Sequence, residues 1–141
     1  MRRIITVILS ATILMTAAAT MAQGGEADLL GTTWLAEDID GRGAVDRARS
    51  TMDFTKAGQV SGLAACNRYL GPVSLSGDAI TFGNLAATRM MCPDTLMDQE
   101  QRFLQALSMS KRFELTNEGR ILLIYADGSE PGLRFSKIIK N

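Results

Sequence analysis

Histidine is missing from this chain, and its absence excludes several classes of function. Without histidine there is no usual general base, no Ser-His or Cys-His nucleophile pair, and no imidazole ligand for zinc or non-haem iron. The 2 cysteines alone would make a poor zinc site. We therefore expect no catalytic residues, no metal site and no cofactor, and we predict that the protein is not an enzyme.

An excess of charge of either sign is also missing. The chain carries 15 basic and 15 acidic residues, which gives a formal net charge of zero. No basic stripe stands out along the sequence, so we expect no nucleic acid as a partner. Polybasic binding to anionic lipid is equally unsupported by the sequence.

The N-terminal segment has the pattern of a secretory signal peptide. Arg2 and Arg3 precede an apolar stretch, and the segment ends on the small-residue pattern Thr20-Met21-Ala22. We predict a signal peptide over residues 1–22, cleaved after Ala22, and a mature periplasmic protein without stable membrane insertion. The alternative is a retained N-terminal membrane anchor, because residues 4–25 carry no charge.

The rest of the chain suits a single domain. We expect a flexible lead-in over residues 23–31 and one domain over residues 32–141. Short β-like runs alternate with Gly, Asn and Asp. These runs are Thr33–Ile39, Thr51–Thr55, Gln59–Leu63, Tyr69–Leu75, Ala79–Phe82, Leu85–Thr88, Arg112–Leu115, Ile121–Tyr125 and Leu133–Ile139.

Between Thr95 and Met109 the apolar residues change to helical spacing, which predicts one amphipathic helix. Asp94 is placed to cap its start. The three glutamines of this helix are predicted to face water: Gln99, Gln101 and Gln105. Many short strands with one helix predict a mainly β (α+β) fold, in which a curled antiparallel, barrel-like sheet packs against the helix.

Two short motifs surround the cysteines and carry a family resemblance. They read Ser61-Gly62-Leu63-Ala64-Ala65-Cys66-Asn67-Arg68-Tyr69 and Thr88-Arg89-Met90-Met91-Cys92-Pro93. With Trp34-Leu35, Glu100 and the Asp127-Gly128 turn, they resemble the META domain, the HslJ-like family of bacterial envelope proteins. The resemblance implies a barrel-like fold with a helix, export or membrane tethering, an association with heat shock and envelope stress, and no established catalytic activity.

The family pattern usually has glycine before the first cysteine, where this chain has Ala65. Since alanine tolerates a positive φ poorly, the sequence argues against a left-handed backbone at that position. Cys66 and Cys92 leave three alternatives open: a disulfide formed after export, which we favour, buried free thiols, or a reactive thiol. No CxxC motif supports the last of these.

The polar residues of the motifs are interpreted as a structural network rather than a ligand-binding rim. Its expected members are Asn67, Arg68, Tyr69, Arg89 and Glu100. Glu100 lies on the apolar side of the predicted helix, where an unpaired charge is costly, so we expect it to pair with Arg68 or Arg89. The remaining apolar candidates are interpreted as core packing. These are Trp34, Met90, Met91, Met97 and Met109.

These features favour a non-enzymatic, stress-related envelope protein, monomeric, which binds an unknown protein or envelope component. The alternative is a small barrel that holds an apolar ligand or lipid chain. Large side chains decide between the two, because an interior that they fill leaves no cavity for a ligand. The residues concerned are Phe54, Phe82, Phe113, Tyr125 and Phe135.

Overall fold

The computed structural model of the protein describes residues 25–139. The predicted signal peptide and its cleavage site lie outside the described residues. Within them the chain forms two helices and ten strands. Their bounds are α1 Glu26–Leu29, β1 Thr33–Ile39, β2 Arg42–Gly43, β3 Thr51–Lys56, β4 Gln59–Leu63, β5 Arg68–Ser76, β6 Ala79–Phe82, β7 Ala86–Ala87, α2 Asp94–Ser108, β8 Arg112–Thr116, β9 Ile121–Tyr125 and β10 Leu133–Lys137.

Eight of these strands form a closed antiparallel barrel in the order β1-β3-β4-β5-β6-β8-β9-β10. Pairing of β1 with β10 closes the barrel, with Trp34 opposite Lys137 and Ile39 opposite Leu133. The short strands β2 and β7 pair antiparallel with β1 and β5, respectively. The predicted barrel-like sheet is therefore confirmed, and closure leaves few unpaired strand edges.

The period-two pattern of the strands directs large apolar side chains into the barrel. In β9, for example, Leu122 and Ile124 are buried while Ile121 and Leu123 are partly exposed. Side chains from most strands and from α2 pack into one core. Its largest fully buried members are Trp34, Phe54, Phe103, Phe113, Phe135, Leu29, Ile39, Met52, Ile80, Leu107, Leu122 and Ile124.

Helix α2 is the predicted amphipathic helix, and it packs against β1 and β6. Its residue Phe103 is fully buried. The ring of Phe103 makes edge-to-face contacts with Tyr69 and Phe135, at centroid distances of 5.7 and 6.2 Å. The helix begins one residue earlier than predicted. Pro93 occupies the N-cap position without a side-chain cap, so the predicted capping role of Asp94 is wrong.

The structure describes the predicted lead-in, residues 23–31, from residue 25 onward, and its flexibility stays a prediction. Residues Glu26–Leu29 form the short helix α1, and Leu29 is completely buried in the core. The amide of Gly31 also donates to the carbonyl of Phe54. Burial of Leu29 therefore anchors this segment, although its sequence is polar and shows no hydrophobic periodicity.

Candidate functional site

A disulfide joins Cys66 to Cys92, with 6.1 Å between their Cα atoms. It connects the loop that follows β4 to the residue two positions before α2. The favoured alternative is confirmed, and both cysteines of the chain are used. Because a disulfide sulfur carries no thiol proton, neither cysteine is a nucleophile in this state.

Asn67 and Glu100 link the disulfide loop to the helix. The backbone N–H of Asn67 donates to Oε2 of Glu100 at 2.7 Å, and its Nδ2 donates to Oε1 at 2.9 Å. Both residues are buried. The expected ion pair of Glu100 with Arg68 or Arg89 is wrong. Two amide donors satisfy the carboxylate instead, while Arg68 and Arg89 are exposed.

The other side of the Asn67 amide binds the segment that leads to Cys92. Its Oδ1 accepts hydrogen bonds from the hydroxyl of Thr88 at 2.9 Å and from the backbone N–H of Met90 at 2.7 Å. The amide of Arg68 donates to the Thr88 hydroxyl, and the amide of Thr88 donates to the Arg68 carbonyl. One asparagine thus makes hydrogen bonds that connect three chain segments.

Tyr69, another member of the predicted network, is buried and hydrogen-bonded. Its ring is buried against Phe103, and its hydroxyl donates to the carbonyl of Thr51 at 2.8 Å. Burial, followed by the negative charge of Asp53, raises the pKa of Tyr69 well above its ordinary value. The hydroxyl therefore stays protonated and serves as a hydrogen-bond donor across β3 and β5.

Gln99 joins helix α2 to the loop before β3, contrary to the prediction that it faces water. It is fully buried. Its Oε1 accepts from the amide of Val45 at 2.8 Å, and its Nε2 donates to the carbonyl of Ala48 at 2.6 Å and to the hydroxyl of Ser50 at 3.0 Å. The polar contacts that α2 makes with this loop and with the disulfide loop are called the junction.

A signal for the burial of Gln99 was present in the spacing of the helix. Gln99 lies four residues before Phe103 and therefore on the same face of α2. Because glutamine is polar, the sequence predicts that it faces water. A buried glutamine is nevertheless stable when its amide hydrogen-bonds to backbone groups of a loop. The predictions for Gln101 and Gln105 are confirmed, because both are exposed.

Ala65 adopts a left-handed backbone with φ 80°, so the sequence-based argument against this conformation is wrong. Its amide donates to the carbonyl of Arg49 at 3.2 Å, and the neighbouring Ala64 pairs with Ser50. These contacts impose the conformation that glycine adopts at less cost.

Three of the methionines interpreted as core packing are exposed instead. Met90, Met91 and Met109 expose 55%, 95% and 48% of their surface, and Met97 is half-buried. Met90 and Met91 lie in the segment that the disulfide and Asn67 hold, where backbone contacts rather than side-chain burial determine the path. Trp34 is buried, as predicted.

An open groove of about 500 Å³ lies beside this junction, on the outer side of the barrel. Its residues come from β3, β4, β5 and the β7 segment. They are Asp53, Ser61, Gly62, Arg68, Tyr69, Leu70, Ala86, Ala87 and Thr88. The groove exists because small residues alternate with the few large ones on this surface. Its lining is mostly apolar and includes one acidic and one basic side chain.

Comparisons with known proteins agree with this architecture. The profile of the META domain matches residues 27–137. The chain belongs to the META domain family. None of the curated proteins matches it significantly.

Two solved structures resemble this META domain. One is the NMR structure of a protein from Burkholderia xenovorans, with 24% identity and a TM-score of 0.67, covering 94% of this chain and 100% of that one. The other is also an NMR structure, with 24% identity and a TM-score of 0.62, covering 78% of this chain and 92% of that one. At this identity the likeness shows the fold alone.

The interior of the META domain barrel is filled by side chains. Phe54, Phe113 and Phe135 are buried in the core, and Phe82 packs against it while partly exposed. Tyr125 is buried too, but it lies outside this core, on the opposite face of β9 from Leu122 and Ile124.

On the outer surface, the guanidinium of Arg112 lies 3.8 Å from the centre of the Tyr125 ring, and the Tyr125 hydroxyl bonds to Glu114 at 3.1 Å. Burial, then the hydrogen bond and charge of Glu114, raise the pKa of Tyr125. Tyr125 therefore connects to two residues of β8 on the outer face of the sheet and takes no part in the core.

Two further observations apply to residues 25–139 of this META domain. No helix in that range has the length and apolarity needed to cross a bilayer. Nor does any group of three Cys, Asp or Glu side chains there lie close enough together to hold a metal ion. What the described residues do offer is a disulfide-linked surface with an open groove.

Proposed function

We propose that this META domain protein is exported to the periplasm, where it acts as a non-enzymatic, monomeric binding protein with a role in envelope stress. The signal-like pattern of residues 1–22 supports export. The Cys66–Cys92 disulfide supports it too, since such bonds persist in oxidising compartments. The stress-related role comes from the resemblance to HslJ-like proteins.

One observation carries the binding role: the groove beside the disulfide is open, whereas the barrel interior is filled. A barrel that stores an apolar ligand needs a cavity of several hundred Å³ among its inward-facing side chains. Here Trp34, Phe54 and Phe135 occupy that space together with Phe103 of the helix. We therefore place the binding site on the outer surface, at the groove.

Site-specific photo-crosslinking in intact cells tests this placement. A photoreactive residue replaces Leu70 in the groove, and in a matched control it replaces Leu30. The two leucines are 47% and 46% exposed. Leu30 lies beside the β3–β4 turn, near Lys56 and Gly58 and away from the disulfide. We expect a discrete adduct from position 70 and none from position 30. Equal labelling at both positions, or labelling at position 30 alone, would contradict the proposed site.

Export is tested separately by cell fractionation and by the intact mass of the purified protein. We expect a periplasmic protein that begins at Gln23. A membrane-associated protein that retains residues 1–22 would favour the anchored alternative. Full-length protein in the cytoplasm would refute export. A deletion strain that survives heat and envelope stress as well as the parent would refute the stress-related role.

A further inference from the structure

We infer that the groove beside the disulfide binds an acidic peptide segment, in which an apolar side chain stands between acidic residues. This inference rests on the proposed binding function and names the partner chemistry of the same site. Three features lead to it: the unpaired cations at the groove, the row of residues that forms its floor, and the apolar segment that extends it.

Two arginines lie at or next to the groove. Arg68 lines the groove, and Arg89 directly follows Thr88 of its wall. Both are exposed, and neither guanidinium is hydrogen-bonded to any residue between 25 and 139. Four other basic side chains in this range do have carboxylate partners, as in the pairs of Lys111 with Asp127 and Arg134 with Glu37, whereas others, such as Lys56, have none. Arg68 and Arg89 are therefore available to carboxylates of another molecule, and arginine binds carboxylates through two hydrogen bonds at once.

The strand register determines the shape of the floor. Asp53 lies opposite Ser61, Ser61 opposite Leu70, and Leu70 opposite Ala86. Since neighbouring strands are about 4.8 Å apart, this row spans about 15 Å, the length of about four or five extended residues. Small side chains at 61 and 86 flank the exposed Leu70, which leaves room for an apolar side chain of the ligand.

The charges along this row are unequal. Asp53 lies at one end, where it can accept a backbone N–H or a terminal ammonium group of a peptide. Arg68 lies two residues from Leu70 along β5, and Arg89 lies beyond it. Two cations against one carboxylate favour an acidic ligand.

The exposed segment at 90–91 continues the surface past Arg89. Met90 and Met91 expose 55% and 95% of their surface, although the disulfide and Asn67 hold their backbone in place. Methionine adapts its unbranched side chain to a partner, and methionine and arginine are both enriched at protein interfaces. A protein segment therefore fits this surface better than a small molecule does.

Titration with two model peptides tests the inference by NMR. The oxidised protein, labelled with 15N, receives acetyl-Ala-Glu-Leu-Glu-Ala-amide or the same peptide with lysine in place of glutamate. We expect the acidic peptide to shift the amide signals of Ser61, Arg68, Leu70 and residues 86–90. The basic peptide should leave them unchanged.

Charge reversal supplies the matched variants. R68E should weaken binding of the acidic peptide by about tenfold, which corresponds to about 1.4 kcal/mol, and should gain binding of the basic peptide. K56E reverses the charge of an exposed lysine at the β3–β4 turn, which has no salt-bridge partner within residues 25–139. This variant should leave acidic-peptide binding unchanged. Retention of dispersed spectra by both variants shows that folding is intact.

Three results would overturn the inference. They are equal shifts with both peptides, no shift with the acidic peptide, and a loss of binding in K56E as large as in R68E. In a separate sample, phosphatidylglycerol vesicles replace the peptides, and broadening of the groove signals by vesicles alone would assign the surface to lipid instead. A cytoplasmic location would refute the proposed function and leave the peptide result standing, so the two failures are distinguishable.

Discussion

The interior of the barrel and the junction at the disulfide are built from opposite kinds of contact. Inside, Phe103 and its neighbours are held by apolar burial and edge-to-face rings. At the junction, Asn67, Gln99 and Glu100 are just as buried, yet they are held by hydrogen bonds between distant segments. The comparison shows that one helix, α2, is attached to the barrel in two ways, each with its own sensitivity to substitution.

Removing the central ring of the interior should have the largest effect. We expect Phe103→Ala to lower the free energy of unfolding by about 3–5 kcal/mol, because it leaves a cavity and removes the ring contacts with Tyr69 and Phe135. Urea unfolding measures the change. Met109→Ala, at a half-exposed position just after the same helix, serves as the control and should cost less than about 1 kcal/mol. Similar losses in both variants would contradict a core centred on Phe103.

Removing the covalent link at the junction should have the next largest effect. Replacing Cys66 and Cys92 by alanine should lower stability by about 3.5 kcal/mol, since the disulfide closes a loop with a sequence separation of 26. Dithiothreitol should shift the urea midpoint of the natural protein and leave that of the double variant unchanged. A natural protein insensitive to the reductant would show that the bond does not stabilise the fold.

The polar half of the junction is tested by two glutamines of the same helix. Gln99→Ala should cost about 2 kcal/mol, because it leaves the amide of Val45 and the carbonyl of Ala48 without their partner. Gln101→Ala, on the exposed side, should change stability by less than about 0.5 kcal/mol. Equal effects would mean that Gln99 is solvated in solution.

The smallest effect should be a gain in stability. Ala65→Gly relieves a left-handed backbone and should raise stability by about 0.5–1 kcal/mol, after the greater freedom of glycine in the unfolded chain is subtracted. Ala79→Gly, in strand β6, should instead lower stability by a similar amount. A loss at position 65 would indicate that the positive φ is not adopted in solution.

The interior was largely predictable from the sequence, because its signals are local. Periodicity located β1, β4, β6 and β9 with the bounds that the structure has, and it located the helix to within one residue. The pairing of β1 with β10, which closes the barrel, joins distant segments and has no local signal.

The junction was predicted only in part. Its members Asn67, Tyr69 and Glu100 follow from the motifs, but their partners do not, because hydrogen bonds between distant segments leave no period in the sequence. The sequence predicts a cation beside Glu100, whereas two amide donors satisfy its carboxylate. Polarity alone predicts that Gln99 faces water, and the segment around Leu29 is too short to show a pattern, yet both residues are fully buried.

A double-mutant cycle at Asn67 and Glu100 tests the account most directly. The central claim is that these two side chains act as one unit that joins helix α2 to the disulfide loop. We predict that Asn67→Ala and Glu100→Gln each destabilise the protein, and that the double variant loses at least about 1 kcal/mol less than the sum of the single losses. Additive losses within about 0.3 kcal/mol would contradict the claim, because two independent sites would give that result.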